Sequence, residues 1–186
     1  MASVGQARAT LDDLLRTPGK AELIRGRIVP LMATGRKPNR VAFRIARSLD
    51  DYAMQTGRGE AYADNMGFAV VMLPSGRESF SPDASYYDGP MPADDMRFIE
   101  GAPTFAAEVR SENDYDAAAE AELAAKRADY FQAGTAVVWD VDPINEVIRV
   151  YRATQPGQFT EFRRGDIADA EPAVPGWRVA VDWIFA

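Results

Sequence analysis

Apolar positions recur along the chain at two spacings, and the change from one to the other marks out the elements. Residues 22–31, ELIRGRIVPL, read as two short strands about an Arg25-Gly26 turn, where Gly26 supplies the backbone freedom of a tight hairpin. From 38 to 56 the spacing lengthens. Val41, Ile45, Leu49 and Tyr52 share one face at 100° per residue, which predicts a helix that opens after Pro38 and ends at Gly57. Strand signals follow at 60–63, 67–73 and 83–87, with a PSGR turn at 74–77. Residues 88–103 hold three prolines and four carboxylates and read as a long loop. TFAAEV (104–109) reads as a buried strand. Asp116 is then positioned to cap an alanine-rich helix over 117–132 that stops at Gly134. Strands at 136–142, 147–152 and 158–163, with a short piece at 178–184, complete the chain.

An apolar strand that leads through a helix into another apolar strand is the βαβ unit of a mixed sheet covered by helices. The expected class is α/β, with an N-terminal helix and hairpin ahead of the sheet and extra strands after it. The 186 residues show no repeat and no linker, so one domain spanning 1–186 is expected.

Composition narrows the chemistry. The chain has no histidine and no cysteine, which removes serine–histidine and cysteine–histidine nucleophile pairs, imidazole bases and thiolate or imidazole metal sites. Catalysis would have to run on carboxylates, amines, guanidiniums, hydroxyls or an oxygen-bound hard metal. Residues 1–15 lack an apolar segment of signal-peptide length, and no stretch approaches the ~20 apolar residues of a membrane span. A soluble cytoplasmic protein is the expectation.

The formal net charge of −7 is unevenly distributed. Between 16 and 47, nine basic residues face Glu22 alone, a local charge of +8. Within it Arg36, Lys37, Arg40, Arg44 and Arg47 cluster about the helix, on a face other than its apolar stripe. Such a stripe is a candidate phosphate-binding surface, and equally the solvated side of a surface helix.

Candidate chemistry lies at the ends of the apolar strands. Asp83 follows Pro82 at a strand start, and Glu108 interrupts the apolar run TFAAEV, where a carboxylate is costly unless paired or cation-bound. Lys126 lies between Leu123 and Tyr130, about 60° from one and 40° from the other around the next helix. It therefore borders the packed face. Two carboxylates and a lysine on adjacent elements suit Mg²⁺. Such an ion would polarise a phosphodiester and acidify a water, with the ammonium steadying developing charge. In the competing reading Asp83 caps a turn, Glu108 pairs with Arg110 or Arg127, and Lys126 is solvated.

The segments ELIRGRIVPL, SPDASYY, FAAEVRS, KRADYFQAG and VVWDVDP occur in this order, and with the closing PGWRVAVDWIF they extend from about residue 9 to 184. The set resembles the Uma-type family of restriction-endonuclease-like proteins, within the PD-(D/E)XK nuclease superfamily. The resemblance implies a restriction-endonuclease-like core with its metal site on two central strands. It makes Asp83 and Glu108 the metal-binding acids, adds the carbonyl of Val109 as a ligand, and gives Glu22 a metal-binding or supporting role. Two departures stand out. Arg110 occupies the place of the superfamily's usual lysine, so Lys126 on the following helix matches that role. Asn39-Arg40 stand where relatives often carry a histidine.

The implied activity is an endonuclease that hydrolyses DNA phosphodiesters with Mg²⁺ or Mn²⁺. The alternative is a nuclease fold without turnover that binds nucleic acid or assembles as a dimer, since fold does not fix function. Trp177, Trp183 and Phe185 would belong either to a homodimer interface or to the monomer's core.

Overall fold

The structure is a computed structural model in which residues 7–186 are described; the first six residues of the stretch read above for a leader lie outside them. Helix α1 (Leu11–Leu15) opens with a capping box, in which the Thr10 side chain and Asp13 satisfy each other's backbone donors. Strands β1 (Ala21–Ile24) and β2 (Arg27–Pro30) form the expected hairpin. Its turn places both Arg25 (φ 53°) and Gly26 (φ 67°) in the left-handed region, the geometry that matches strand twist. Helix α2 (Arg36–Thr56) starts two residues before the expected position and ends at Gly57, with φ 66°. Its predicted stripe is the buried one, with Val41, Ile45 and Leu49 nearly inaccessible.

Next come β3 (Glu60–Ala63), β4 (Phe68–Ala69), β5 (Ser79–Phe80), β6 (Ala84–Tyr87), β7 (Ile99–Glu100) and β8 (Phe105–Val109). Helix α3 (Ala117–Ala133) follows, capped by Asp116, whose carboxylate accepts from Ala119 N–H, and ended by Gly134 at φ 108°. Strands β9 (Val137–Asp142), β10 (Val147–Arg152), β11 (Gln155–Phe162), β12 (Ile167–Asp169) and β13 (Arg178–Ala180) lead to α4 (Val181–Ile184). The central sheet has six strands in the order β11-β10-β9-β8-β6-β3. Only β8 and β9 are parallel, and α3 is the crossover between them.

Strand alternation divides the sheet's two faces. Phe105, Ala107 and Val109 of β8, with Val137, Trp139 and Val141 of β9, pack in one core with the α2 stripe, Trp177 and Phe185. Ala106 and Val138 face the other way, toward Tyr130 of α3 and toward Phe68, Phe80 and Ile99 of the small β5-β4-β7 sheet. On that second face the same alternation turns Glu108, Arg110 and Asp140 under α3. The apolar layer gives way to charge at the C-terminal ends of β8 and β9.

Four expectations are corrected. Residues 67–73 form a ladder only at Phe68–Ala69, because Val71 and Met72 turn out to solvent at 90% and 54% exposure. The 88–103 loop contains β7, where Ile99 is buried against β4. The strand expected at 158–163 begins earlier and runs Gln155–Phe162. The closing piece divides into β13 and α4, and β13 pairs with β12, which gave no strand signal because Ile167 is exposed while Ala168 is buried. Trp177 and Phe185 close the core, whereas Trp183 is 38% exposed.

Candidate active site

Asp83 stands one residue before β6 and continues its pairing with β8. Its N–H donates to the Ala107 carbonyl (3.1 Å), and its Oδ2 accepts from Val109 N–H (2.8 Å). The carboxylate is thereby fixed at the C-terminal end of β8. Its other oxygen, Oδ1, lies 2.7 Å from Lys20 Nζ, and the same ammonium lies 2.5 Å from Asp64 Oδ1. Asp64, Asp83 and Val109 line a cavity of about 10 Å³ with Asn39 and Pro38 from the first turn of α2. That is about the room of one water-sized sphere.

Glu108 is held from α3. Lys126 Nζ lies 2.8 Å from its Oε1, and Tyr130 Oη–H donates to the same oxygen at 2.6 Å. Lys126 also lies 3.0 Å from Glu22 Oε1, so one ammonium bridges two carboxylates. Glu22 is buried in β1. It accepts from Ser81 N–H (3.0 Å) and pairs with Arg77, whose Nε lies 2.9 Å from Asp129. Tyr130 stacks on Phe80 at 4.1 Å between ring centroids, which fixes the hydroxyl that Glu108 uses.

Burial pushes Glu108 above the ordinary glutamate range, and Asp83 and Glu22 add to the rise, against the pull of Lys126. Burial alone would lower Lys126, but Glu108 and Glu22 outweigh it and hold the ammonium well above its usual value. Glu22 moves the other way: burial raises it, and Lys126 and Arg77 together bring it below the ordinary value. A depressed folded pKa contributes stability that is full above the unfolded value and lost as pH falls through the folded one. The unfolding free energy in urea is therefore expected to drop on acidification below about pH 4.5, the ordinary value. Glu22→Gln should flatten that dependence, and an unchanged slope would contradict the assignment.

The donor set suits a hard divalent ion. Glu22, Asp64, Asp83, Glu108 and Asp129 contact three cations, Lys20, Arg77 and Lys126. Their formal charges sum to −2. All the donors are oxygens, as Mg²⁺ prefers. Among the described residues no three carboxylates are arranged to hold a metal ion by themselves. The two ammonium groups stand between the acids.

A sequence profile described as "Putative restriction endonuclease" matches residues 9–182. The chain belongs to the Uma2 family. Among solved structures it is similar to a "putative nuclease belonging to DUF820" from Anabaena variabilis ATCC 29413, at 19% identity and a TM-score of 0.72. The match covers 95% of this chain and 97% of that one, which shows a shared fold. No curated protein matches the chain.

Within this Uma2 chain, Lys126 brings Glu22 and Glu108 together, Asp83 lies at the same end of β8 but pairs with Lys20, and neither Arg110 nor Arg127 pairs with Glu108. Arg110 is bound twice to Asp140, Nε to Oδ1 at 2.6 Å and Nη2 to Oδ2 at 2.7 Å, and it also pairs with Glu120. That fork leaves it no part beside Glu108, whose ammonium partner is Lys126. Of the five basic residues proposed for a nucleic-acid surface, Arg36, Arg40 and Arg47 are exposed and make no ion pair among the described residues. Lys37 pairs with Glu146 at 2.9 Å, and Arg44 donates to the Ile184 and Ala186 carbonyls.

The sequence reading missed Lys20, Asp64, Arg77 and Asp129. Arg77 reads as the last residue of the PSGR turn, yet it is buried between β1 and α3. Lys20 had one signal, its place two residues before Glu22 and directly after Gly19. No helix among the described residues is long and apolar enough to cross a membrane.

Proposed function

We propose that this single domain is a divalent-metal-dependent endonuclease acting on DNA, with Asp83, Glu108 and Lys126 as its catalytic set. The observation that carries the reading is Glu108 joined to the helix-borne ammonium of Lys126, with Asp83 fixed at the same end of β8 by Val109 N–H. Membership of a family described as "Putative restriction endonuclease" points the same way. Asp83 and Glu108 would hold Mg²⁺ or Mn²⁺, with the Val109 carbonyl beside them. The ion would supply Lewis-acid polarisation of the scissile phosphate and a water acidified toward neutral pH.

The chain's own residues do the rest. Lys126 is held in its protonated form, so it acts as a fixed positive charge toward the developing phosphorane and not as a base. Glu22 serves to hold that ammonium: its two oxygens are already engaged by Ser81, Arg77 and Lys126, so it supports the site from behind. Tyr130 keeps its proton, which burial secures, and aims Glu108 by donating to it. Arg36, Arg40 and Arg47 would hold the phosphate backbone from α2. A cytoplasmic location belongs to the same reading. A two-fold dimer would have Trp183 available at its interface, since Trp177 and Phe185 are buried in the monomer.

Supercoiled plasmid incubated with Mg²⁺ or Mn²⁺ should be nicked, and chelation should stop it. The second reading, a fold that binds DNA without cutting, draws on the lysines interposed between the acids, and binding without nicking would favour it. DNA affinity should fall steeply with salt. Replacing Arg36, Arg40 and Arg47 together by Gln should reduce the slope of log K against log salt by about three, roughly one per phosphate contact. An unchanged slope would remove α2 from the interface.

A further inference from the structure

We propose that Lys20 is a positioning residue that occupies the metal-facing oxygen of Asp83 in the metal-free protein and shifts wholly onto Asp64 when a divalent ion enters. The inference rests on the metal-dependent reading above and concerns a residue outside its catalytic set. Its basis is a three-group chain. Asp83 Oδ2 is taken by Val109 N–H, so Oδ1 is the oxygen left for a metal, and Lys20 Nζ sits 2.7 Å from it. The same ammonium already touches Asp64 Oδ1 at 2.5 Å. Leaving Asp83 therefore requires a small swing about one retained contact.

Burial makes the arrangement consequential. The Lys20 side chain is 16% exposed and that of Asp83 22%, whereas Asp64 reaches 42%. Lys20 is anchored at its backbone, where its carbonyl accepts from Leu31 N–H (2.9 Å), so only the flexible side chain moves. Its movement carries positive charge from the inner acid to the outer one, at the rim of the cavity that Asp64, Asp83 and Val109 share. A divalent ion entering beside Asp83 and an ammonium remaining there would repel each other, so the two exclude one another on that oxygen. On Asp64 the displaced ammonium would sit at the more exposed of the two acids. While it stays on Oδ1, Lys20 compensates the Asp83 charge.

A double-mutant cycle on Mn²⁺ binding, read by titration calorimetry or by electron paramagnetic resonance of free Mn²⁺ with no DNA present, tests this directly. Lys20→Met should tighten Mn²⁺ binding about tenfold, because the competing cation is gone. Asp64→Asn should weaken it about tenfold in the natural background, since Lys20 loses its second anchor and stays on Asp83. In the Lys20→Met background the same Asp64→Asn change should have almost no effect. A purely through-space charge effect would make Asp64→Asn cost the same in both backgrounds, and that result would overturn the proposal. So would Lys20→Met binding Mn²⁺ no more tightly than the natural protein. Lys20→Gln repeats the cycle should Lys20→Met fail to fold. Asp83→Asn is the control for the underlying reading: if it leaves Mn²⁺ affinity intact, the metal site itself is misplaced, an outcome distinct from failure of the Lys20 cycle alone.

Discussion

Asp83→Asn is expected to lower Mg²⁺-dependent nicking of supercoiled plasmid at least about 100-fold, with the fold retained. The substitution keeps the shape of the side chain, and the amide oxygen can still accept from Val109 N–H, the bond that places it. It removes the charge that a divalent ion requires. Because the Asp83 side chain is partly exposed and its neighbour Lys20 keeps Asp64, stability should change little. Lys126→Met should show a loss of similar size for a different reason. Its ammonium bridges Glu22 and Glu108, so the substitution removes a positive charge in contact with one of the proposed metal-binding acids. Loss of one preorganised electrostatic stabiliser typically costs about 10²–10³ in rate. Circular dichroism and thermal melts accompany the assay, so that loss of turnover is read on folded protein. Nicking that survives both substitutions would mean that the activity, if any, resides elsewhere.

Arg77→Met carries the largest expected effect on stability. Arg77 is only 7% exposed and holds two buried carboxylates, Glu22 of β1 and Asp129 of α3. Its guanidinium also lies over the Phe80 ring at 5.1 Å. Removing it leaves two acids in a poorly solvated interior, one of them with Lys126 as its remaining cation. Breaking a buried pair by deleting one partner costs about 3–5 kcal/mol, mostly from the uncompensated charge. For a chain of this length that corresponds to a melting point lower by about 6–20 °C. Exposed pairs behave differently. Arg16–Asp13, with side chains 70% and 44% exposed, should change stability by less than about 1 kcal/mol when broken. Equal losses at the two positions would show that burial does not govern these pairs.

Much of the fold was legible because its elements announce themselves locally. The α2 stripe, the Asp116 cap, the Gly57 and Gly134 stops and the Arg25-Gly26 turn each depend on a few adjacent residues. What escaped depends on contacts distant in sequence. Strand β12 is recognisable only once β13 is beside it, and β7 only once Phe68 is opposite Ile99. The site divides in the same way. Glu108 could be picked out because a carboxylate in an apolar strand needs a reason, and Lys126 because of its place on the helix. Lys20, Asp64, Arg77 and Asp129 lie in or beside turns or on a helix flank, where a charge needs no explanation. Only folding brings Arg77 52 residues along the chain to Asp129. Arg110, the natural candidate by position alone, was taken out by Asp140, a partner on the neighbouring strand.

On the proposed reading Asp83 and Glu108 form one divalent-cation site. Diffraction from a crystal soaked in Mn²⁺, recorded at the manganese absorption edge, examines it most directly. An anomalous peak is expected about 2.1 Å from a carboxylate oxygen of both Asp83 and Glu108, with Lys20 moved off Asp83. A peak bound elsewhere, or none between those two acids at saturating Mn²⁺, would contradict it.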